Sequence, residues 1–127
     1  MLKYDVRKAL FIDDEEPNRF FFPKVLERAG IERVIAVNHP NAIEEKPGDV
    51  GLIVFDVNYD GMGDDTAFNY LDFFKSFGAP MIAITGNPGN IERLQALGID
   101  NYDKTQLATK EEMAKAINKA YEQHRQN

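Results

Sequence analysis

The chain has 127 residues, 43% of them hydrophobic, which suits one compact domain with a real core. Its 15 basic against 21 acidic residues give a net charge of −6, which argues against a nonspecific nucleic-acid binder, because such a protein needs a basic face to neutralise phosphates. There is no cysteine, which excludes disulfides, thiol catalysis and zinc–thiolate sites. No apolar run is long enough for a signal-peptide core or a membrane span, and Met1 to Arg7 is mixed and charged, so a cytoplasmic location is the default expectation.

Short apolar runs alternate with amphipathic stretches from one end to the other. Ala9–Ile12 opens as a strand, followed by a helix over Pro17–Ala29, with Pro17 suited to a first turn and Gly30 to a C-terminal stop. Pro23 inside that helix predicts a kink or a late start, because it removes a backbone donor. Phe20, Phe21 and Phe22 cannot all face the core, since successive helical residues turn by about 100°; one or two core aromatics beside an exposed edge are expected.

Val34–Val37 predicts the second strand and Pro40–Glu45 a short helix. Leu52–Phe55 predicts the third strand and Asp65–Phe77 its helix. Met81–Ile84 predicts the fourth strand and Pro88–Leu97 its helix, entered through the turn Gly86–Asn90. Ile99–Tyr102 is a weaker fifth strand. The last helix, Thr109–His124, carries a capping-box spacing from Thr109 to Glu112. Its apolar stripe is Met113, Ala116, Ile117, Ala120 and Tyr121. Five βα units in this order imply an α/β fold, a five-stranded parallel sheet with helices on both faces. His39 and His124 have no partners at ligand spacing and read as surface residues.

In an open parallel sheet the site forms beyond the carboxyl ends of the strands. Here Asp13 and Asp14 come after the first strand, Asp56 stands at the end of the third, Thr85 and Gly86 at the end of the fourth, and Lys104 after the fifth. Three carboxylates at close range repel one another unless a cation neutralises them. Oxygen-only ligands suit a hard ion such as Mg²⁺, which keeps coordination positions open for water and phosphate. Lys104 supplies a compact positive charge for a second anionic oxygen, and Thr85 supplies a hydrogen bond to a third. A carboxylate facing a metal and a lysine can attack phosphorus, giving an acyl phosphate. Gly86 leaves room for the incoming group.

The stretch Lys8-Ala9-Leu10-Phe11-Ile12-Asp13-Asp14-Glu15-Glu16-Pro17 resembles the start of a response-regulator receiver domain of two-component signalling, of the CheY-like kind. Leu52-Ile53-Val54-Phe55-Asp56, Ile82-Ala83-Ile84-Thr85-Gly86 and Tyr102-Asp103-Lys104 are similar to its other three signatures, in order. The resemblance covers essentially the whole chain, 1–127, as a single receiver domain with a (βα)5 flavodoxin-like three-layer sandwich. It implies that Asp56 is the phosphoacceptor, with Lys104 binding the phosphoryl group and Thr85 as the switch hydroxyl. It implies a Mg²⁺ site of Asp14, Asp56, Asp13 mainly through water, and the backbone carbonyl of Asn58. It makes Tyr102 the candidate switch aromatic. The implied phosphodonors are a histidine kinase, a histidine phosphotransfer protein or a small acyl phosphate. The output is a protein contact, with no nucleic acid and no membrane bound by this domain.

Three departures stand out. Thr105 replaces the proline that usually comes after the lysine, and a cis bond before a non-proline costs roughly 3–4 kcal/mol, so a trans peptide is expected there. Tyr59-Asp60 replaces the usual Met-Pro, and Asn58–Asp65, with Asp60, Gly61, Gly63, Asp64 and Asp65, reads as an acidic solvated turn rather than a second cation site. Thr85 to Lys104 is short, so the fourth helix and fifth strand are expected to be trimmed. Two other functions stay open. One is a pseudo-receiver that binds without phosphorylation. The other is a small phosphatase of the haloacid-dehalogenase type, which would need a second acid at position 58, where Asn58 stands, and metal-binding acids after the lysine, whereas Asp13 and Asp14 precede it. No output domain comes after the fifth helix, so the expectation is a stand-alone receiver or a fragment of a longer protein.

Overall fold

The structure is a computed structural model, which describes residues 1–59 and 63–126. Asp60 and Gly61 of the acidic loop lie outside the described residues. Five strands, β1 (Lys8–Ile12), β2 (Arg33–Val37), β3 (Leu52–Asp56), β4 (Met81–Ile84) and β5 (Asp100–Tyr102), form one sheet in the order β2-β1-β3-β4-β5. All four pairings are parallel. The chain therefore runs outward from β1 to β2, returns to β3 on the other side of β1, and continues away. The switch point lies between β1 and β3, the position where open parallel sheets bind ligands.

Alternation along each strand divides the core in two. Ala9, Phe11, Leu52, Val54, Ile82 and Ile84 face one side, where they pack with Phe22, Val25 and Leu26 of α1 (Glu16–Ala29) and with Met113, Ile117 and Ala120 of α4 (Lys110–Gln126). Leu10, Ile12, Ile53, Phe55 and Ala83 face the other side. There they meet Leu71 and Phe74 of α2 (Leu71–Lys75) and Leu94 of α3 (Pro88–Ala96). Strands with buried residues on both faces read as continuous apolar runs, which is why β1, β3 and β4 are visible in the sequence.

The helices differ from expectation on the second side. Pro40–Glu45 is no α-helix; only a 3₁₀ turn forms there, Pro40–Ala42. Asp65–Phe77 divides into a 3₁₀ turn, Ala67–Tyr70, and the five-residue α2. The described residues thus contain four α-helices rather than five. With few polar–apolar repeats in 40–45, there is no stripe long enough to repay helix nucleation. The trimmed fourth unit is as expected, with nine residues in α3 and three in β5.

On the first side, α1 begins at Glu16 and runs continuously through Pro23, so the late start is not seen. It ends at Gly30, whose φ of 126° suits glycine and whose N–H returns to the carbonyls of Glu27 and Leu26. Of the three consecutive phenylalanines only Phe22 is buried; Phe20 is exposed, with the Lys24 ammonium 3.7 Å from its ring centre. Thr109 caps α4, accepting the Glu112 N–H at 3.2 Å while its hydroxyl donates to the Glu112 carboxylate at 3.1 Å. No helix among the described residues is long and apolar enough to cross a membrane.

Candidate functional site at the carboxyl ends of the strands

Asp13 comes directly after β1 and is fully buried. Its backbone N–H donates to Val37 of β2 at 3.1 Å, and its backbone carbonyl receives Arg19 Nη1 of α1 at 2.9 Å. Oδ1 accepts the Glu15 N–H at 2.9 Å, which turns the chain into α1. Oδ2 is buried with no hydrogen-bond partner. Burial, reinforced by Asp14, holds the Asp13 carboxyl above the ordinary carboxylate range.

Asp56 ends β3, paired in register with Ile84 of β4. Its Oδ1 accepts the Val57 N–H at 2.8 Å. Burial and the neighbouring Asp13 push its carboxyl up to about 7, against which the Val57 hydrogen bond and Lys104 act only in part. One oxygen from each of Asp13, Asp14 and Asp56 lies within 4.8 Å of the others.

Thr85 caps the end of β4 and is buried, its N–H donating to Tyr102 of β5 at 2.8 Å. Lys104 opens a 3₁₀ turn, Lys104–Leu107, and its Nζ lies 3.7 Å from Glu15 Oε1 across the mouth of the site. The Asp56, Asp14, Thr85, Lys104 and Asn58 side of the molecule is one cleft of about 520 Å³, bordered also by Gly86. A Cβ at Gly86 would meet nothing within 4 Å, so packing does not demand glycine there; the space it leaves belongs to the cleft. Tyr102, opposite Ile84 in β5, is half-buried against the α1/α4 side of the core. Its side chain is not among those lining the cleft. The expected residues thus fall together, except that Asp13 lies beneath the cleft and Tyr102 behind it.

There is no cis peptide bond among the described residues, so the Lys104–Thr105 bond is trans, as expected. Sequence reasoning missed four other features. What places the lysine is a capping box: Asp103 accepts the Gln106 N–H at 3.0 Å and the Gln106 side chain accepts the Asp103 N–H at 2.9 Å. The Asp-x-x-Gln spacing is a legible signal for it. The Glu15–Lys104 pair was not foreseen, nor was Asn90, whose Nδ2 donates to Asn58 Oδ1 at 3.0 Å and to Thr85 Oγ1 at 3.3 Å. His39 is not a free surface residue: it is half-buried, 2.8 Å from Asp65 Oδ2 and 3.2 Å from Tyr70 Oη. Its partners are 26 and 31 residues away, which no local spacing announces.

No family model matches the chain, and no curated protein matches it. Solved structures do. A response regulator receiver domain protein from Clostridium thermocellum superposes with a TM-score of 0.74 at 19% identity, over 94% of this chain and 98% of that one. A CheY-like receiver domain protein from Methanospirillum hungatei gives 0.69 at 20% identity, over 97% and 100%. The chemotaxis protein CheY4 of Vibrio cholerae gives 0.68 at 19% identity, over 90% and 98%.

This chain has the response-regulator receiver fold. On that fold the cleft occupies the switch point between β1 and β3. The residues present fit a hard divalent cation. The donors are all oxygen, two of the three carboxyls are held above their ordinary range, and Oδ2 of the buried Asp13 has no donor within full hydrogen-bonding distance, with only the Asn18 amide acting on the carboxyl from nearby.

Proposed function

We propose that residues 1–127 are one cytoplasmic receiver module that takes a phosphoryl group onto Asp56 in the presence of Mg²⁺. The observation that carries this reading is the convergence of Asp13, Asp14 and Asp56 within 4.8 Å, in a cleft that Thr85 and Lys104 share. Asp14, Asp56 and the Asn58 backbone carbonyl would hold the cation, with Asp13 acting mainly through water. When bound, the cation supplies charge neutralisation for the carboxylates and the phosphoryl oxygens. Its presence would also offset the burial and repulsion that raise Asp56, restoring the ionised nucleophile.

An Asp56 carboxylate oxygen then attacks phosphorus of a phosphohistidine or a small acyl phosphate. The new bond is P–O to Asp56, and the bond that breaks is P–N or P–O to the donor, whose leaving atom keeps the electron pair. Lys104 leaves Glu15 and balances one phosphoryl oxygen, while Thr85 donates to another. Movement of Thr85, whose N–H is bonded to the Tyr102 carbonyl, would alter the surface offered to a downstream protein partner. The donor would be a histidine kinase or a histidine phosphotransfer protein. A phosphorylation-independent pseudo-receiver is the second reading, favoured by the capped loop at Thr105 and the altered residues after Asn58. A haloacid-dehalogenase-type phosphatase is disfavoured by Asn58 and by the placement of Asp13 and Asp14 after β1, ahead of the lysine rather than after it.

The deciding experiment is intact-mass analysis after incubation with acetyl phosphate and Mg²⁺, beside an Asp56→Asn control. Gain of one phosphoryl group in the parent alone is the expected result. Equal labelling of both proteins, or of neither while Mg²⁺ binds, would remove the phosphoacceptor role. Asp14→Ala is expected to abolish Mg²⁺ binding and keep the fold.

A further inference from the structure

Asn90 lies in the first turn of α3, three residues beyond the Asn87 cap, which accepts the Gly89 and Asn90 N–H groups at 2.9 and 3.4 Å. Its carboxamide reaches back over the end of the sheet. One N–H points to Thr85 Oγ1 at the end of β4, the other to Asn58 Oδ1 two residues beyond β3. Thr85 Oγ1 also accepts the Asn87 N–H, at 3.2 Å.

A hydroxyl has one proton to donate and two lone pairs to fill. With Asn87 N and Asn90 Nδ2 both donating to Thr85 Oγ1, the acceptor capacity of that oxygen is taken. The Thr85 proton has only the remaining tetrahedral direction, and Thr85 borders the cleft with Asp56. A donor aimed in advance at the place where charge develops is worth more than one that must turn.

We propose that Asn90 is a positioning residue for phosphoryl transfer: its carboxamide clamps Thr85 and Asn58 together and leaves the Thr85 hydroxyl proton aimed into the Asp56 cleft. This role rests on the receiver reading given above. Asn90 touches no reacting atom; it acts through Thr85. Because it belongs to the first turn of α3, any movement of Thr85 toward a phosphoryl oxygen also pulls on that helix.

The test uses the full chain with acetyl phosphate at saturating Mg²⁺, following initial rates by intact mass. Asn90→Asp keeps the shape and adds an acid to a first helical turn, where it is favourable, so the fold is retained. That change removes both donors and offers the Thr85 proton a competing acceptor. A rate loss of roughly tenfold is expected, with a smaller loss for Asn90→Ala, both read at saturating Mg²⁺ so that a change in ion affinity does not enter the rate. In a Thr85→Ala background the same substitutions are expected to have no further effect, which a merely structural role would not reproduce. An undiminished rate in Asn90→Asp, or losses that add to that of Thr85→Ala, would overturn the role. Absence of phosphorylation in the parent would instead remove the receiver reading itself, and this role with it. Independently of phosphorylation, the Asn90 carboxamide NMR signals of the metal-free protein are expected to move in both Thr85→Ala and Asn58→Ala; signals that stay in place overturn the clamp.

Discussion

The two faces of the sheet are covered in different ways. One face lies under α1 and α4, of 14 and 17 residues, whose backbone groups satisfy one another and whose apolar stripes dock as units. The other lies under α2 and α3, of five and nine residues, together with two 3₁₀ turns. Aromatic bulk replaces helix length there: Phe55 and Phe74 sit with ring centres 5.0 Å apart, and Tyr59 stacks edge-on to His39 at 5.5 Å. The loops of this face are fastened by side chains, namely Asn69 to the Asp64 carbonyl, His39 to Asp65, and Asn90 to Asn58. A long helix resists local change because its bonds break cooperatively, whereas single side-chain clamps open one at a time. The carboxylates lie at the seam. The thick face is therefore the more cooperative frame, and the thin face is held by contacts that open singly.

The sharpest test of that division compares two core truncations. Phe74→Ala on the thin face is expected to cost about 3–5 kcal/mol, and Ile117→Ala on the thick face about 2–5 kcal/mol, both read by urea unfolding. Both side chains are fully buried, so the losses should be comparable. Mg²⁺ affinity should separate them: it is expected to fall in Phe74→Ala, because Phe55 precedes Asp56, and to hold in Ile117→Ala. Equal falls in affinity would mean that the faces are not functionally distinct.

Next in size is a pH effect at the seam. The folded-state carboxyl of Asp56 is raised from 3.8 to about 7, so its protonated form is favoured by folding. The stability linked to this group is fully present below about pH 4 and is lost as pH rises through about 7 in the metal-free protein. Asp56→Asn should remove that loss and be more stable than the parent at pH 8, by something on the order of 1–3 kcal/mol. The advantage should vanish near pH 4. Mg²⁺ competes with the proton, so parent affinity for the ion should climb across the same window. An Asp56→Asn stability curve parallel to that of the parent at every pH would refute the raised carboxyl.

The same contrast decides what is legible in the sequence. On the thick face the signals are local and periodic: Thr109 and Glu112 three apart, Met113, Ile117 and Ala120 on one stripe, Gly30 closing α1. The strand-end residues are legible because β1, β3 and β4 are short apolar runs that end in or lead directly to Asp13, Asp56 or Thr85. On the thin face the sequence over 40–45 and 65–77 holds enough apolar residues to suggest helices, yet cross-chain packing decides their form. Asp65 illustrates this. It reads as part of a solvated acidic turn, but it is spoken for by His39, far from it in sequence, and by Tyr70. Asn90 is hidden for a related reason, since it reads as the end of a turn and its value lies in reaching two other loops at once.

A clamp of that kind should be removable without harm to the frame. His39→Ala takes away the partner of Asp65 Oδ2 and the ring against Tyr59; loss of one partly buried hydrogen-bonded pair is expected to cost about 1–2 kcal/mol. Amide exchange should quicken at Tyr59 and Ala67, whose N–H groups bond to Asp65 and Val57 across this loop, and stay as it was in α4. Faster exchange throughout the sheet would show that His39 supports the whole fold rather than one loop.

The smallest effect belongs to the thick face and serves as its control. Thr109→Ala removes the hydroxyl that accepts the Glu112 N–H and leaves the first turn of α4 with one more unpaired donor, worth about 1 kcal/mol. The cap lies at the start of a 17-residue helix whose later turns contribute Ile117 and Ala120 to the core on this side of the sheet. The loss should therefore appear as fraying confined to the first turn, seen as faster exchange at Glu112 and Met113, with the midpoint of unfolding moved only slightly. Mg²⁺ affinity and phosphorylation rate should not change, because Thr109 does not line the cleft and the turn at Lys104–Leu107 is held by its own capping box. A measurable slowing of phosphorylation would mean that strain at the entry to α4 passes through the 3₁₀ turn at Lys104–Leu107 to the lysine. The thick face would then be part of the switch and not only its support.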